Sequence, residues 1–132
     1  MQVIDDGRCF ICGTDNPIGL HAVFVSDPQL RRTETLVRIP EHFQGWQGVT
    51  HGGILSALLD EVCAQACMAC GLKVVTRELR LRYRKPVPTG SEVTVIGEIM
   101  GERRRLIEVR GRIELDGQVV ADTEVIMYNL SP

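Results

Sequence analysis

The chain has 132 residues, with 15 Lys and Arg against 17 Asp and Glu and a formal net charge of −2. This length predicts a single domain over residues 1–132, since most domains hold roughly 100–200 residues. The near-balance of charge argues against nucleic acid as a partner, because dedicated binders usually carry a strong basic excess. Aromatic residues make up only 5% of the chain, which also disfavours a stacking platform for single strands.

The first twenty residues are rich in Gly, Asp, Asn and Pro and predict an irregular lead-in. They hold no basic segment followed by an apolar one, so we expect no signal peptide. Five cysteines without such a signal favour reduced thiols and a cytoplasmic location. The longest apolar stretch, residues 54–70, carries Asp60 and Glu61 near its centre, which argues against a membrane span.

Two short strands are predicted at residues 21–26 and 33–39, with a turn at Asp27-Pro28 and a loop over residues 40–50. Residues 52–70 then give the one strong helix signal. Their apolar side chains cover nearly the whole circumference, which is typical of a helix buried inside a protein. Gly71 is a natural residue to end this helix.

After Gly71 the apolar residues alternate, which predicts strands at residues 79–83, 93–99, 107–115 and 119–127. Asp116-Gly117 is a strong signal for a two-residue hairpin turn. Short turns between the four strands predict an antiparallel meander with one buried face. We therefore expect an α+β domain in which an antiparallel sheet wraps around one long central helix.

The segment His51-Gly52-Gly53 at the start of this helix is the first candidate site. The first turn of a helix leaves backbone N–H groups unpaired and carries partial positive charge. Glycine there allows a ligand to approach the backbone closely. These properties suit a carbonyl oxygen or an oxyanion. The alternative is a tight turn into the helix with His51 as part of its cap.

Asp60 is the second candidate, because a carboxylate in an apolar helix is costly to bury unless it is paired. It lies eight residues from Gly52, or about 12 Å along a helix, so the two groups hardly reach one carbonyl together. Two helices packed antiparallel across a two-fold axis would bring Gly52 of one chain to Asp60 of the other. If the site is catalytic, we expect a homodimer with two equivalent interface sites. The alternative is that Asp60 and Glu61 are solvated or salt-bridged.

The spacing from His51-Gly52-Gly53 to Asp60 resembles that of hotdog-fold acyl-CoA thioesterases, specifically their PaaI-like branch. The resemblance extends to the lead-in CFICGTDNPIGL, to the segment FQGWQGVTHGGILSALLDE and to the turn RYRKPVPTG. It implies the hotdog fold and hydrolysis of an acyl- or aryl-CoA thioester to free acid and CoA. It implies no cofactor, since coenzyme A is part of the substrate.

The resemblance also implies roles for four catalytic residues. Gly52 would donate its N–H to the thioester oxygen, and His51 would orient or polarise that carbonyl. Asp60 of the partner chain would act as general base or nucleophile. Thr76 falls where related enzymes often place a hydroxyl that positions the water.

A further group of residues is expected to contact the substrate: Gly53, Gln44, Gln47, Trp46, Glu61, Arg84 and Lys85. Many relatives have Asn or Gln six residues before the His, where this chain has Gly45, so Gln44 or Gln47 is the candidate replacement. Arg84 and Lys85 suit the phosphates of a nucleotide, unless they form the solvated face of the sheet. Trp46 would pack over an acyl or pantetheine chain or fill a dimer core.

The cysteine pattern predicts no metal site. Cys9-x-x-Cys12 and Cys67-x-x-Cys70 are separated by 54 residues, far beyond usual zinc-ribbon spacing. The second pair lies on an apolar helix, where Cys behaves as a small hydrophobe.

Two other functions compete with thioester hydrolysis. A hotdog hydratase or dehydratase typically has a different Asp/His arrangement, and His51 is the last His of this chain. A non-catalytic acyl-CoA-binding protein of the same fold would keep the cleft and have no need of Asp60. The expected partners are thus an acyl-CoA and a second copy of the chain, with a homotetramer as a further possibility, and neither nucleic acid nor a membrane.

Overall fold

The structure is a computed structural model that describes residues 1–132. One long helix, α1, spans Gly52–Ala69, and a short 3₁₀ helix spans Glu41–Phe43. The strands in chain order are β1 (Val25–Asp27), β2 (Arg32–Arg38), β3 (Val74–Tyr83), β4 (Glu92–Arg103), β5 (Leu106–Leu115) and β6 (Gln118–Asn129).

The six strands form one antiparallel sheet in the order β1-β2-β4-β5-β6-β3. Helix α1 contacts all six of them, so the sheet curves around the helix. The core lies between the two, where alternate strand residues meet one side of α1. This arrangement confirms the predicted α+β hotdog fold.

The predicted order of the four long strands is wrong in one respect. Strands β4, β5 and β6 form a meander, but β3 pairs with β6, and β2 takes the place beside β4. The connection over residues 84–91 crosses the end of the sheet instead of making a hairpin. Val87 anchors it, since its side chain is fully buried and its carbonyl accepts the N–H of Thr50.

The first predicted strand is shorter than expected. Only residues 25–27 are extended and paired, because His21 takes a left-handed conformation with φ 51° and the N–H of Ala22 bonds the lead-in at Ile11. The turn that follows is made by residues 28–31, with Arg31 at φ 53°. Residues 1–20 contain turns and no helix or strand.

Helix α1 ends where the sequence predicts, at Gly71 with φ 80°. It is not buried all round within one chain. Its buried side chains share the face toward the sheet: Leu55, Leu58, Leu59, Val62, Cys63, Ala66 and Cys67. By length and composition alone α1 is apolar enough to cross a membrane, but core helices of soluble proteins meet the same criterion. The rest of its circumference is half-buried, with Gly53 and Met68 exposed.

Burial explains the behaviour of the cysteines on α1. It raises the pKa of the Cys67 thiol to about 12 and also raises the pKa of Cys63. Both therefore stay protonated and pack as small apolar side chains, as the sequence suggests.

Candidate active site

The backbone at the start of α1 offers one free hydrogen-bond donor. His51 is the N-cap residue, with φ −60° and ψ 132°, and its Nδ1 accepts the N–H of Gly53 at 2.8 Å. The N–H of Gly52 has no acceptor within the chain. Of the two glycines predicted to face a substrate, only Gly52 keeps its N–H available. Because Nδ1 of His51 is an acceptor, the proton of the neutral ring is on Nε2.

Tyr83 fixes the position of this first turn. Its hydroxyl, at the end of β3, donates to the carbonyl of Gly52 at 2.9 Å. A Cβ on Gly52 would lie 3.3 Å from Tyr83 Cζ, so the close contact favours glycine. The sequence indicates only that Tyr83 alternates with arginines along a strand, and nothing in that pattern identifies it as a contact of the helix.

The loop before α1 packs closely against His51. A Cβ at Gly45 would lie 3.3 Å from His51 Cδ2, so a larger residue there requires the His51 ring to shift slightly. Gln44 accepts the N–H of Gly48 through its side-chain oxygen at 3.1 Å and so braces the loop. Gln47 makes no side-chain hydrogen bond within the chain and is exposed. It is therefore the freer of the two glutamines to meet a ligand.

A cleft of about 460 Å³ lies beside the helix start. Its walls bring together Gly52 and Tyr83 with three of the predicted substrate contacts: Trp46, Arg84 and Lys85. Trp46 is 85% exposed. Thr50 also lines the cleft, and its hydroxyl is buried without a hydrogen-bond partner.

The two cations at this cleft are held by neighbours on β6. Arg84 donates to Asp122, and this hydrogen bond raises the pKa of a guanidinium that is already charged. Lys85 donates to the side-chain oxygen of Gln118. Both side chains remain exposed, so their charge is accessible from solvent at the cleft.

Asp60 and Thr76 form a second constellation further along α1. The Thr76 hydroxyl donates to Asp60 Oδ1 at 2.6 Å and lies 3.5 Å from Met127 Sδ. A bulge in β3 follows Thr76 directly, where the pairing with β6 shifts register before Glu78. The helical rise of eight residues separates Asp60 from Gly52 by about 12 Å, and Asp60 does not line the cleft at Gly52.

Glu61 faces a different part of the molecule. Its carboxylate accepts from Gln65 Nε2 at 2.9 Å and from the Cys9 thiol at 3.6 Å. Burial and this carboxylate raise the pKa of the Cys12 thiol. Glu61 is predicted to bind substrate. Within one chain its side chain instead contacts the lead-in and Gln65, and it does not line the cleft at Gly52.

Comparison with known proteins places this architecture in a family. A sequence model described as "Thioesterase superfamily" matches residues 47–121. Acyl-coenzyme A thioesterase THEM4 of Bos taurus is 25% identical over 96 residues, which cover 73% of this chain and 39% of that protein. The chain thus spans about two-fifths of the length of the curated relative.

Solved structures give the same picture. A phenylacetic acid degradation-related protein from Ralstonia eutropha JMP134 superposes with a TM-score of 0.76 at 25% identity, over 83% of this chain and 85% of that one. The protein smu.793 of Streptococcus mutans UA159, solved bound to acetyl CoA, shares the fold with a TM-score of 0.77 at 19% identity, over 83% and 89%. With the family match across more than half of its residues, the chain belongs to the thioesterase superfamily.

Proposed function

We propose that the protein hydrolyses an acyl- or aryl-CoA thioester to the free acid and CoA. The observation that carries this proposal is the unpaired N–H of Gly52, a residue that lines one cleft together with Arg84 and Lys85. The name of the Bos taurus relative and the acetyl CoA bound by the Streptococcus protein support an acyl-CoA as substrate.

Gly52 supplies the electrostatic part of the mechanism. Its N–H, at the positive end of α1, donates to the thioester oxygen, and the bond strengthens as negative charge develops there. The hydrogen bond from the Tyr83 hydroxyl to the Gly52 carbonyl keeps this N–H donor in place. His51 carries its remaining ring proton on Nε2, from which it orients or polarises the same carbonyl.

Asp60 supplies the base or the nucleophile. Thr76 occupies Oδ1, which leaves Oδ2 for an attacking water. As general base, Asp60 takes a proton from the water while the hydroxyl oxygen bonds the carbonyl carbon. The tetrahedral intermediate then expels CoA as a thiolate, which takes up the proton. As nucleophile, Asp60 would attack the carbonyl carbon and expel the CoA thiolate, which leaves an acyl anhydride. Water then hydrolyses the anhydride to the free acid and the Asp60 carboxylate, and the released proton goes to the thiolate.

The active unit is a homodimer, in which Gly52 of one chain meets Asp60 of the other. The separation of the two groups along one helix and the half-buried side of α1 both support this assembly. Dimers that pair further into tetramers are compatible with the same sites. We assign the protein to the PaaI-like branch, because its lead-in and central segment carry that branch's pattern.

The remaining contacts follow from this placement. Arg84 and Lys85 meet the phosphates of CoA, and Trp46 packs over the pantetheine or acyl chain. Gln47 approaches the carbonyl from the loop. The reaction needs no cofactor, and the cysteine content supports a cytoplasmic location.

The first test is Asp60→Asn, which keeps the shape of the side chain and removes its basicity. We expect hydrolysis of acyl-CoA to fall at least about 100-fold, as is usual on loss of a general base. Asp116→Asn, in the turn between β5 and β6, is the matched control and should keep full activity. A panel of short, medium, long and aromatic acyl-CoAs identifies the substrate on which to measure.

Circular dichroism and gel filtration check that fold and assembly survive in both variants. Unchanged turnover in Asp60→Asn would overturn the role of this residue. A wild-type chain that binds acyl-CoAs across the panel without releasing CoA would overturn hydrolysis and leave a binding protein.

A further inference from the structure

Two cysteines of the lead-in and one carboxylate of α1 meet at a single point. The sulfur atoms of Cys9 and Cys12 and a carboxylate oxygen of Glu61 all lie within 4.8 Å of one another. We call these three residues the lead-in cluster. The sequence does not reveal it, because the cysteine pattern pairs Cys9 and Cys12 with Cys67 and Cys70. The fold instead brings in an acid 49 residues after Cys12.

The turn Cys9-x-x-Cys12-Gly13 orients both sulfurs toward Glu61. The N–H of Ile11 donates to Cys9 Sγ at 3.4 Å, and the N–H of Gly13 donates to the Cys9 carbonyl at 2.9 Å. A Cβ on Gly13 would lie 2.6 Å from that carbonyl oxygen, so only glycine fits after the second cysteine. A backbone N–H directed at a cysteine sulfur stabilises its thiolate, the form that binds a metal.

Gln65 supports the other two members of the lead-in cluster. Its Nε2 lies 3.4 Å from Cys12 Sγ and 2.9 Å from Glu61 Oε1, and it donates toward both. Each of the three possible ligands therefore has a neighbouring N–H donor that orients it. Such supporting hydrogen bonds are characteristic of metal-binding side chains.

We propose that Cys9, Cys12 and Glu61 bind a divalent zinc ion. Two thiolates and a carboxylate are ligands that zinc accepts, and three protein ligands leave one of four tetrahedral positions for water or a small ligand. On binding, each thiol releases its proton to solvent as its sulfur bonds the ion. Two thiolates, one carboxylate and Zn²⁺ leave one net negative charge.

The surroundings of the lead-in cluster suit that arrangement. A cleft of about 480 Å³ opens beside it and gives access to the fourth position. Arg8 and Lys73 line this cleft together with Asp5 and Asp6, so the walls around the three ligands are balanced in charge. The proposed ion joins the lead-in to the middle of α1, and it does not depend on the proposed hydrolysis.

The experiment uses the full chain, reduced and freed of metal, and titrates it with Co²⁺ as a spectroscopic substitute for zinc. We expect one equivalent to bind per chain, with the visible bands of a tetrahedral ion and a sulfur-to-cobalt charge-transfer band. Zinc should displace the cobalt and so remove both the visible bands and the charge-transfer band. Cys9→Ser and Cys12→Ser should weaken the charge-transfer band, while Cys70→Ser, which lies outside the lead-in cluster, should leave it unchanged.

Two further variants test the rest of the site. Glu61→Gln should weaken cobalt binding and alter the visible bands, and Gln65→Leu should reduce affinity about 10–100-fold, as loss of a supporting hydrogen bond does. Circular dichroism checks folding of each variant. A reduced wild-type chain that takes up no cobalt would overturn the proposal. A disulfide formed between Cys9 and Cys12 in air would then show only that the two sulfurs are close. So would charge-transfer bands that persist undiminished in Cys9→Ser, or a Glu61→Gln variant that binds like wild type.

Discussion

The Asp60 carboxylate has a single side-chain partner within the chain, the hydroxyl of Thr76. This bond fixes one carboxylate oxygen against β3 and so determines where the other one points. A group that must meet a water within about 3 Å gains from such positioning, because a misplaced base loses much of its effect. In the proposed mechanism Thr76 is therefore a positioning residue for Asp60.

Thr76→Val removes the hydroxyl and preserves the shape of the side chain. A hydrogen bond to a charged group is worth about 1.5–3 kcal/mol, so we expect kcat to fall about 10–100-fold with little change in KM. Steady-state kinetics on the best acyl-CoA measure both constants. Thr76→Ser restores the hydroxyl and should recover most of kcat. Loss of thermal stability with kcat unchanged would assign Thr76 a structural role only.

At the residue level, the sequence identifies the groups that lie next to one another along the helix. The spacing of Gly52 and Asp60 can be read directly, because the helical rise converts eight residues into a distance. Tyr83 could not be predicted as a support for Gly52, since that contact depends on which strand end lies above the helix start. The meeting of Cys12 with Glu61 depends in the same way on the path of the lead-in.

Among the elements, the helix approaches the sheet closely at Gly97 on β4. A Cβ there would lie 2.8 Å from the backbone oxygen of Val62. A backbone atom in the middle of α1 cannot rotate away as a side chain can. The absence of a side chain at Gly97 therefore sets how near α1 lies to the sheet.

Gly97→Ala should force the helix away from β4 and lower the free energy of unfolding by about 1–3 kcal/mol, as overpacking of a core usually does. Denaturant unfolding followed by circular dichroism measures the change. Gly101→Ala, on the same strand, is the matched control, because a Cβ there meets nothing within 4 Å. If the two variants have equal free energies of unfolding, α1 can move away from β4 without loss of stability.

The elements themselves were largely predictable, and their neighbours in the sheet were not. Asp116 and Gly117 adopt φ 52° and 77°, the two positive angles of the hairpin turn that their sequence predicts. Alternation of apolar residues predicts a buried face of β3 at Leu79, Leu81 and Tyr83 but not the strand that β3 pairs with. Within one chain that face stays largely open, since Leu79 is 38% and Tyr83 56% exposed. The pairing of β3 depends on the connection over residues 84–91, which is buried at Val87. That segment carries no periodic signal from which its path could be predicted.

At the scale of the whole molecule, one chain holds two incomplete constellations. Gly52 and its cleft lie at the start of α1, and Asp60 with Thr76 lies further along the helix. A second copy related by a two-fold axis would complete both at once, and each dimer would have two equivalent sites. The sequence predicts this shared site only because the helix between Gly52 and Asp60 is too long for both groups of one chain to reach the same carbonyl.

A hybrid dimer tests the shared site. One chain carries Asp60→Asn. The other carries Gly52→Pro, which removes the N–H at the first helical position, where the φ of proline fits the backbone, although its ring presses on Tyr83 as any Cβ there would. Each variant alone should be nearly inactive. The hybrid, purified by a different tag on each chain, should recover about half of wild-type activity, because one of its two sites then has both groups. A hybrid as inactive as its parents would show that each site is built from a single chain.

The position of β3 also constrains the order in which the chain can acquire its structure. Val74, the first residue of β3, pairs with Asn129, the last residue of β6. During synthesis on a ribosome, all ten residues of β3 emerge well before their only partner strand exists. Closing so long a loop is slow, and an unpaired strand can join another nascent copy. A chain cut short before β6 is therefore expected to aggregate, since β3 can join this sheet only once β6 has been made.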